Sequence, residues 1–315
     1  MGRYSPVGAA PGTVWGMAPT STSQTPFGRV LTAMVTPFTA EGSLDLDAAQ
    51  RLAVHLVDAG NDGLVLNGTT GESPTTSGAE KAALVRAVVE AVGERAFVVA
   101  GAGSNDTARS IELARDAEEA GAHGLLMVTP YYSKPPQEGL YRHTVTVADA
   151  TGLPIMLYDI PARTGVPLET ETIVRLAEHP RIVANKDAKG DLSAASWVLA
   201  RTGLAVYCGD DILNLPLLSV GAVGFVSVVG HVVAPELRAM VDAYLTGDVA
   251  KAREIHQGLL PVYTGIFRTQ GVILSKAALA AQGLITGTLR LPLVEATREQ
   301  IDQLTQDLAA GGVQL

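Results

Sequence analysis

From residue 28 onward, eight short apolar runs are separated by amphipathic stretches, and this alternation most limits the folds open to the chain. The runs fall at 30–35, 63–66, 97–100, 124–128, 155–158, 182–185, 205–208 and 224–228. Helical periodicity lies between them at 47–59, 80–92, 107–120, 170–177, 194–201 and 235–245. Strands that alternate with helices imply right-handed parallel crossovers, and eight of them imply closure into an α/β (β/α)8 TIM barrel. The rival is an open, doubly wound sheet. Against it, the first strand-to-helix turn, Thr36-Pro37-Phe38-Thr39, has no phosphate-cradling glycines, and Gly101-Ala102-Gly103 lacks the third glycine of a dinucleotide fingerprint.

Composition fits strands buried on both faces: 47% of residues are hydrophobic and only 17% charged. Asp45 and the 104–106 segment offer helix-capping oxygens, and Pro235 suits a first helical turn. Gly60, Gly63, Gly121, Gly124 and Gly203 each stand between a helix and the next strand, where a left-handed C-cap is expected. Beyond residue 247 only helical patterns remain, at 248–259, 261–269, 272–281 and 296–308. The expected organisation is a flexible arm over 1–26, a barrel over 27–246 and a helical C-terminal region over 247–315.

Several function classes are excluded. The net charge is −9 and no basic tract occurs, which argues against a nucleic-acid partner. The longest apolar stretches fall short of the roughly 18 residues of a membrane span. Cys208 is the only cysteine, so no intrachain disulfide forms and a reducing, cytoplasmic setting is expected. Pro11 and Pro19 interrupt the only candidate export core, Met17 offers an alternative start, and the sequons at Asn67 and Asn105 read as accidental. The six histidines have no ligand-like spacing, so no metal is expected.

Reactive groups in a β/α barrel sit at the C-terminal ends of strands. The second strand ends in Asn67-Gly68-Thr69-Thr70-Gly71-Glu72-Ser73, whose glycines admit a ligand to the backbone and whose hydroxyls can bind a carboxylate. The plain alternative is a tight turn that caps a helix. The fourth strand ends in Thr129-Pro130-Tyr131-Tyr132, and the fifth in Tyr158-Asp159-Ile160-Pro161-Ala162-Arg163-Thr164-Gly165. Aromatics make up 5% of the chain, yet three tyrosines fall on this rim. The sixth strand runs into Lys186-Asp187. The other lysines (Lys81, Lys134, Lys189, Lys251 and Lys276) have settings that read as exposed. A lysine among apolar walls loses solvation of its ammonium, which frees the amine to attack a ketone. The competing reading is a snorkelling lysine paired with Asp187.

In combination and order, Gly68 to Ser73, Val128 to Tyr132, Tyr158 to Gly165 and Lys186-Asp187-Ala188 resemble the pyruvate-dependent class I aldolase family, and within it the dihydrodipicolinate synthases. The resemblance spans about residues 28–308. It implies that Lys186 forms an imine with pyruvate, and that Tyr158, Thr69 and Tyr132 form a proton relay. It further implies that Tyr132 enters a neighbouring subunit's site, and that Thr70 binds the pyruvate carboxylate. Gly209 and Val226 match positions beside the imine. Arg163 would hold the carboxylate of the second substrate, aspartate 4-semialdehyde, in a bidentate fork. No cofactor beyond the covalent imine is implied, and the implied assembly is a homotetramer built as a dimer of dimers.

Related aldolases acting on 2-keto-3-deoxy sugar acids or N-acetylneuraminate are the nearest alternative, and Arg163 weighs against them. A silent barrel that senses small carboxylates is a more distant one. Two positions depart from the pattern: Asp159 and His231 each stand where asparagine is common. Some relatives are inhibited by lysine at a subunit interface. Here Asn105 and Tyr131 are retained, but Arg109 replaces an acid, and Gly78 and Lys81 replace histidines. A cation there opposes an ammonium, so weak or absent lysine feedback is expected.

Overall fold

A computed structural model of the protein describes residues 25–315; nearly all of the expected N-terminal arm lies outside the described residues. Eight parallel strands close in sequence order, each paired with its neighbours and β1 with β8, which rules out the open sheet. They are β1 (Val30–Ala33), β2 (Gly63–Leu66), β3 (Phe97–Gly101), β4 (Gly124–Val128), β5 (Ile155–Asp159), β6 (Ile182–Asp187), β7 (Ala205–Cys208) and β8 (Gly224–Ser227). The runs at both ends of the chain order stop earlier than expected because their last amides are used elsewhere. Val35 N–H goes to His231 Nε2 (3.1 Å), and Val228 and Val229 N–H go to the Asp211 carboxylate (2.9 and 3.1 Å).

Side chains alternate between two cores, as a pleated strand requires. Leu31, Val65, Val99, Leu126, Met156, Ala184, Ala205 and Val226 fill the barrel interior, whereas Val30, Leu64, Val98, Leu125, Leu157 and Val206 pack against the helices outside. Phe27 stoppers the N-terminal end, held by Tyr207, whose hydroxyl donates to Gly28 O (2.9 Å) and accepts from Phe27 N–H (3.3 Å). Among the described residues, Phe27 and Tyr207 thus close the N-terminal end of the interior.

The surrounding helices follow their caps. Asp45 accepts from Ala48 N–H ahead of Leu46–Asp58, Asp106 from Ala108 N–H ahead of Thr107–Glu119, and Ser77 forms a reciprocal capping box with Glu80 ahead of Gly78–Val92. Three helices escape the sequence reading: Gln137–Asp149, the single turn Pro161–Thr164 and Asn214–Val220. The first carries a run of β-branched residues over Thr144 to Val147, which is poor in helix formers, and the last is a short helix containing Pro216. The helical stretch Gly230–Leu245 is broken at Val233, and Pro235 falls in the first turn of the helix that follows the break, as expected, where its missing N–H costs no bond.

Of the five glycines expected as left-handed caps, only Gly60 and Gly121 have positive φ. Gly63 and Gly124 instead open strands at close approaches: a Cβ would come within 2.9 Å of Phe97 O and 2.5 Å of Phe27 Cε1, respectively. Gly203 meets neither condition. The C-terminal segment forms helices Val249–Gly258, Leu260–Ile266, Gly271–Ala281 and Arg298–Ala310, without a strand among the described residues. No described helix is long and apolar enough to cross a membrane.

Candidate active site

β5, β6 and β7 run in register with Tyr158 beside Lys186 and Lys186 beside Tyr207, so all three share the inner face. The next residue of each strand faces outward. Asp187 thus leaves Lys186, and its Oδ1 accepts Lys189 N–H instead (2.9 Å). Lys186 is 4% exposed, and its Nζ lies 4.1 Å from the centroid of the Tyr158 ring. The reading in which Lys186 snorkels to pair with Asp187 has no support in this geometry.

Gly209, the residue after β7, completes the lysine's surroundings. Its N–H donates to Asp187 O (2.7 Å), which draws its Cα against the lysine stem. A Cβ there would stand 2.9 Å from both Cγ and Cε of Lys186. Val226 is buried on the inner face of β8 in the same core as Tyr158.

A cleft of about 510 Å³ opens above these strand ends, lined in part by Thr69, Tyr131, Tyr132, Tyr158 and Arg163. The structure therefore gathers four of the expected site residues on one surface. Lys186, Thr70, Gly209 and Val226 do not line the cleft: Lys186 sits behind Tyr158, and Thr70 is buried in the turn behind Thr69. Tyr132 is 89% exposed and holds a left-handed backbone (φ 75°), a conformation unfavourable to a bulky residue. Arg163 is exposed on the single turn Pro161–Thr164 and donates from a guanidinium nitrogen to Gln270 Oε1 at 3.4 Å.

The two departures from the aldolase pattern lie outside the cleft. Asp159 faces outward, 3.2 Å from Lys189 Nζ, and accepts Leu168 N–H (3.1 Å), which ties down the loop that carries Arg163. Burial raises the carboxyls of both Asp159 and Asp187 above the ordinary range. His231 is fully enclosed between the ends of β1 and β8. Its Nε2 accepts Val35 N–H, so Nδ1 carries the proton and donates to Val228 O (2.7 Å). Burial pushes its pKa down to about 4. His231 is a neutral staple between the ends of two strands.

Two lysines read as exposed are buried. Lys81 is 8% exposed, and its Nζ donates to Ser73 O (2.7 Å), Thr76 O (2.5 Å) and Thr76 Oγ1 (2.7 Å). Burial, and then the neighbouring Arg109, lower its pKa to about 8. Lys276 is fully buried against Glu72. The available signal was the sequence around it, Val272 to Ala281, which is apolar on every face of the helix. Gln270, the partner of Arg163, carried no signal, since its helix lies 107 residues away in sequence. Lys81, Arg109 and Tyr131 all line the cleft, whereas Asn105 does not. Gly78 leaves room for Arg109, whose Nη2 would lie 2.7 Å from an added Cβ. Among the described residues no cluster of three or more His, Cys, Asp or Glu side chains is placed to hold a metal ion.

A closed barrel whose sixth strand delivers a buried lysine to the foot of a tyrosine-lined cleft defines an aldolase-type lyase. The chain belongs to the Dihydrodipicolinate synthetase family, which it matches over residues 26–311. It is 77% identical over 299 residues to 4-hydroxy-tetrahydrodipicolinate synthase 2 of Streptomyces coelicolor, covering 95% of this chain and 100% of that one. It is 67% identical over 293 residues to the 4-hydroxy-tetrahydrodipicolinate synthase of Acidothermus cellulolyticus, covering 93% and 95%. The crystal structure of the synthase from Cyanidioschyzon merolae, with lysine bound, matches with a TM-score of 0.89 at 42% identity, over 91% of this chain and 99% of that one.

Proposed function

We propose that the protein condenses pyruvate with L-aspartate 4-semialdehyde to give 4-hydroxy-tetrahydrodipicolinate, on the route to diaminopimelate and lysine. The observation that carries this reading is Lys186, enclosed on the inner face of β6 with its amine against Tyr158 and its stem against Gly209. Its Nζ attacks the keto carbon of pyruvate, and loss of water gives the imine. The protonated imine is an electron sink, so a modest base can take the methyl proton and leave an enamine. The enamine carbon bonds to the aldehyde carbon of the semialdehyde. The substrate's own amine then displaces Lys186 by transimination and closes the ring.

Tyr158 and Thr69, which share the cleft wall, serve the proton transfers, and Thr70 binds the pyruvate carboxylate through its hydroxyl or amide. Arg163, at the mouth, holds the carboxylate of the semialdehyde. That cation favours this reading over an aldolase for a 2-keto-3-deoxy sugar acid or N-acetylneuraminate, whose aldehyde halves carry no carboxylate. No cofactor takes part beyond the covalent imine. Tyr132 completes the relay in a second copy of the chain. Its exposed ring on a strained backbone supports this assignment, because such a conformation persists where something else holds it. The working assembly is a homotetramer, a dimer of dimers, in the cytoplasm.

Borohydride reduction in the presence of pyruvate tests the first half of the proposal. It should add the reduced pyruvyl group to Lys186, and failure to modify that residue would overturn the mechanism. Turnover with pyruvate and aspartate 4-semialdehyde, coupled to reduction of the product, tests the second.

A further inference from the structure

Glu72 lies in the turn that carries Thr69 and Thr70, yet its carboxylate faces away from the cleft. Its backbone is left-handed (φ 53°), and its N–H donates to Thr69 O (3.1 Å), so Glu72 closes the turn on the threonine itself. Its side chain reaches the C-terminal region. Oε1 accepts from Lys276 Nζ (2.5 Å), and Oε2 accepts from Arg290 N–H (3.0 Å). Both side chains of the Glu72–Lys276 pair are completely buried.

The tie is reinforced from the far side. Lys276 Nζ also donates to Thr288 O (2.7 Å) and stands 4.2 Å above the Phe38 ring. The Arg290 guanidinium binds Gly42 O and Thr75 O (both 2.9 Å) and the Glu80 carboxylate (3.1 and 2.6 Å). One segment, 276–290, thus grips the threonine turn at Glu72, the short turn Ser73–Thr75 after it at Thr75, and the helix that follows at Glu80. A buried ion pair is a weak source of stability, because desolvation offsets much of its attraction. Its directional bonds nonetheless fix the groups that make them.

We infer that Glu72 and Lys276 are positioning residues, and that the C-terminal helical segment sets the geometry of the pyruvate-binding threonines through them. The inference rests on the proposed function for the assignment of Thr69 and Thr70. Loss of the tie lets the turn relax, so pyruvate binds less well while the amine of Lys186, on a different strand, stays competent.

The experiment measures borohydride trapping on Lys186 against pyruvate concentration in the full-length protein, for three forms. Glu72→Asp keeps the charge and shortens the reach. The double variant Glu72→Gln/Lys276→Met leaves no unpaired charge in the core, which spares folding. In both, the half-saturating pyruvate concentration should rise about tenfold, with trapping at saturation unchanged. A variant that saturates within about twofold of the parent overturns the inference, whether or not its Tm has fallen. Failure of the parent itself to be trapped would instead overturn the proposed function.

Discussion

The stem of Lys186 lies against the bare Cα of Gly209, with no room for even a methyl group between them. The hydrogen bond from Gly209 N–H to Asp187 O holds this contact from the backbone. Gly209→Ala should therefore turn the amine away from the Tyr158 ring. Displacement of a reacting group by about 1 Å costs on the order of 100-fold in rate, and kcat for the condensation should fall by about that factor. Steady-state kinetics beside a circular dichroism spectrum would check it; unchanged kcat would show that the contact is slack.

Arg163 offers the only side chain we assign to the second carboxylate. Arg163→Ala should raise KM for aspartate 4-semialdehyde and leave the pyruvate dependence of trapping as it was. Loss of a charge-assisted hydrogen bond of about 1.5–3 kcal/mol corresponds to roughly 10- to 150-fold. Arg163→Lys, a point charge without the fork, should recover only part of this. Equal effects on both substrates would contradict the assignment.

The trans role of Tyr132 is open to complementation. Lys186→Ala and Tyr132→Phe subunits, each impaired alone, should regain activity after mixing and subunit exchange. In a mixed dimer one site combines an intact lysine with an intact tyrosine from the partner. A mixture no more active than the sum of its parts would place Tyr132 outside the neighbouring site.

His231 gives a pH dependence whose sign follows from its burial. Its folded pKa, about 4, lies below the ordinary 6.5. The unfolded chain thus takes up a proton that the folded chain refuses, and stability is lost as pH falls from about 6.5 toward 4. The full linkage is on the order of 3 kcal/mol. Denaturant midpoints at pH 7 and pH 5 should fall further apart in the parent than in His231→Asn. Equal separation would mean that the histidine is already protonated in the native state.

Lysine inhibition should be weak or absent. Lys81 and Arg109 bring two cations to the cleft wall, where an incoming ammonium would meet repulsion. Initial rates should stay constant at sub-millimolar L-lysine, and half-maximal inhibition in that range would refute this.

The barrel was legible because its signals are local. The strands are runs of mostly buried residues, and four of the helices that follow them carry a cap in their own sequence, at Asp45, Ser77, Asp106 and Asp191. Lys186 was legible as a charge inside such a run. What escaped depends on pairings distant in the chain. Lys276 finds Glu72 across 204 residues, and His231 finds Val35 across 196. Neither pairing leaves a mark in its own segment beyond a polar residue in apolar company. Gly60 and Gly121 are left-handed as expected, whereas Gly63 and Gly124 are not for a related reason, since they answer to packing partners distant in the chain, Phe97 and Phe27.

Lys186, the amine we propose to react, is anchored in a wall whose every strand has a neighbour on each side, whereas Arg163 and Tyr132 are carried on turns outside it. On the proposed mechanism, bond-making power and choice of reactant thus reside in mechanically separate parts. Grafting a different 160–168 turn onto this scaffold should retarget the catalyst toward another aldehyde, while leaving intact its capacity to activate the keto acid.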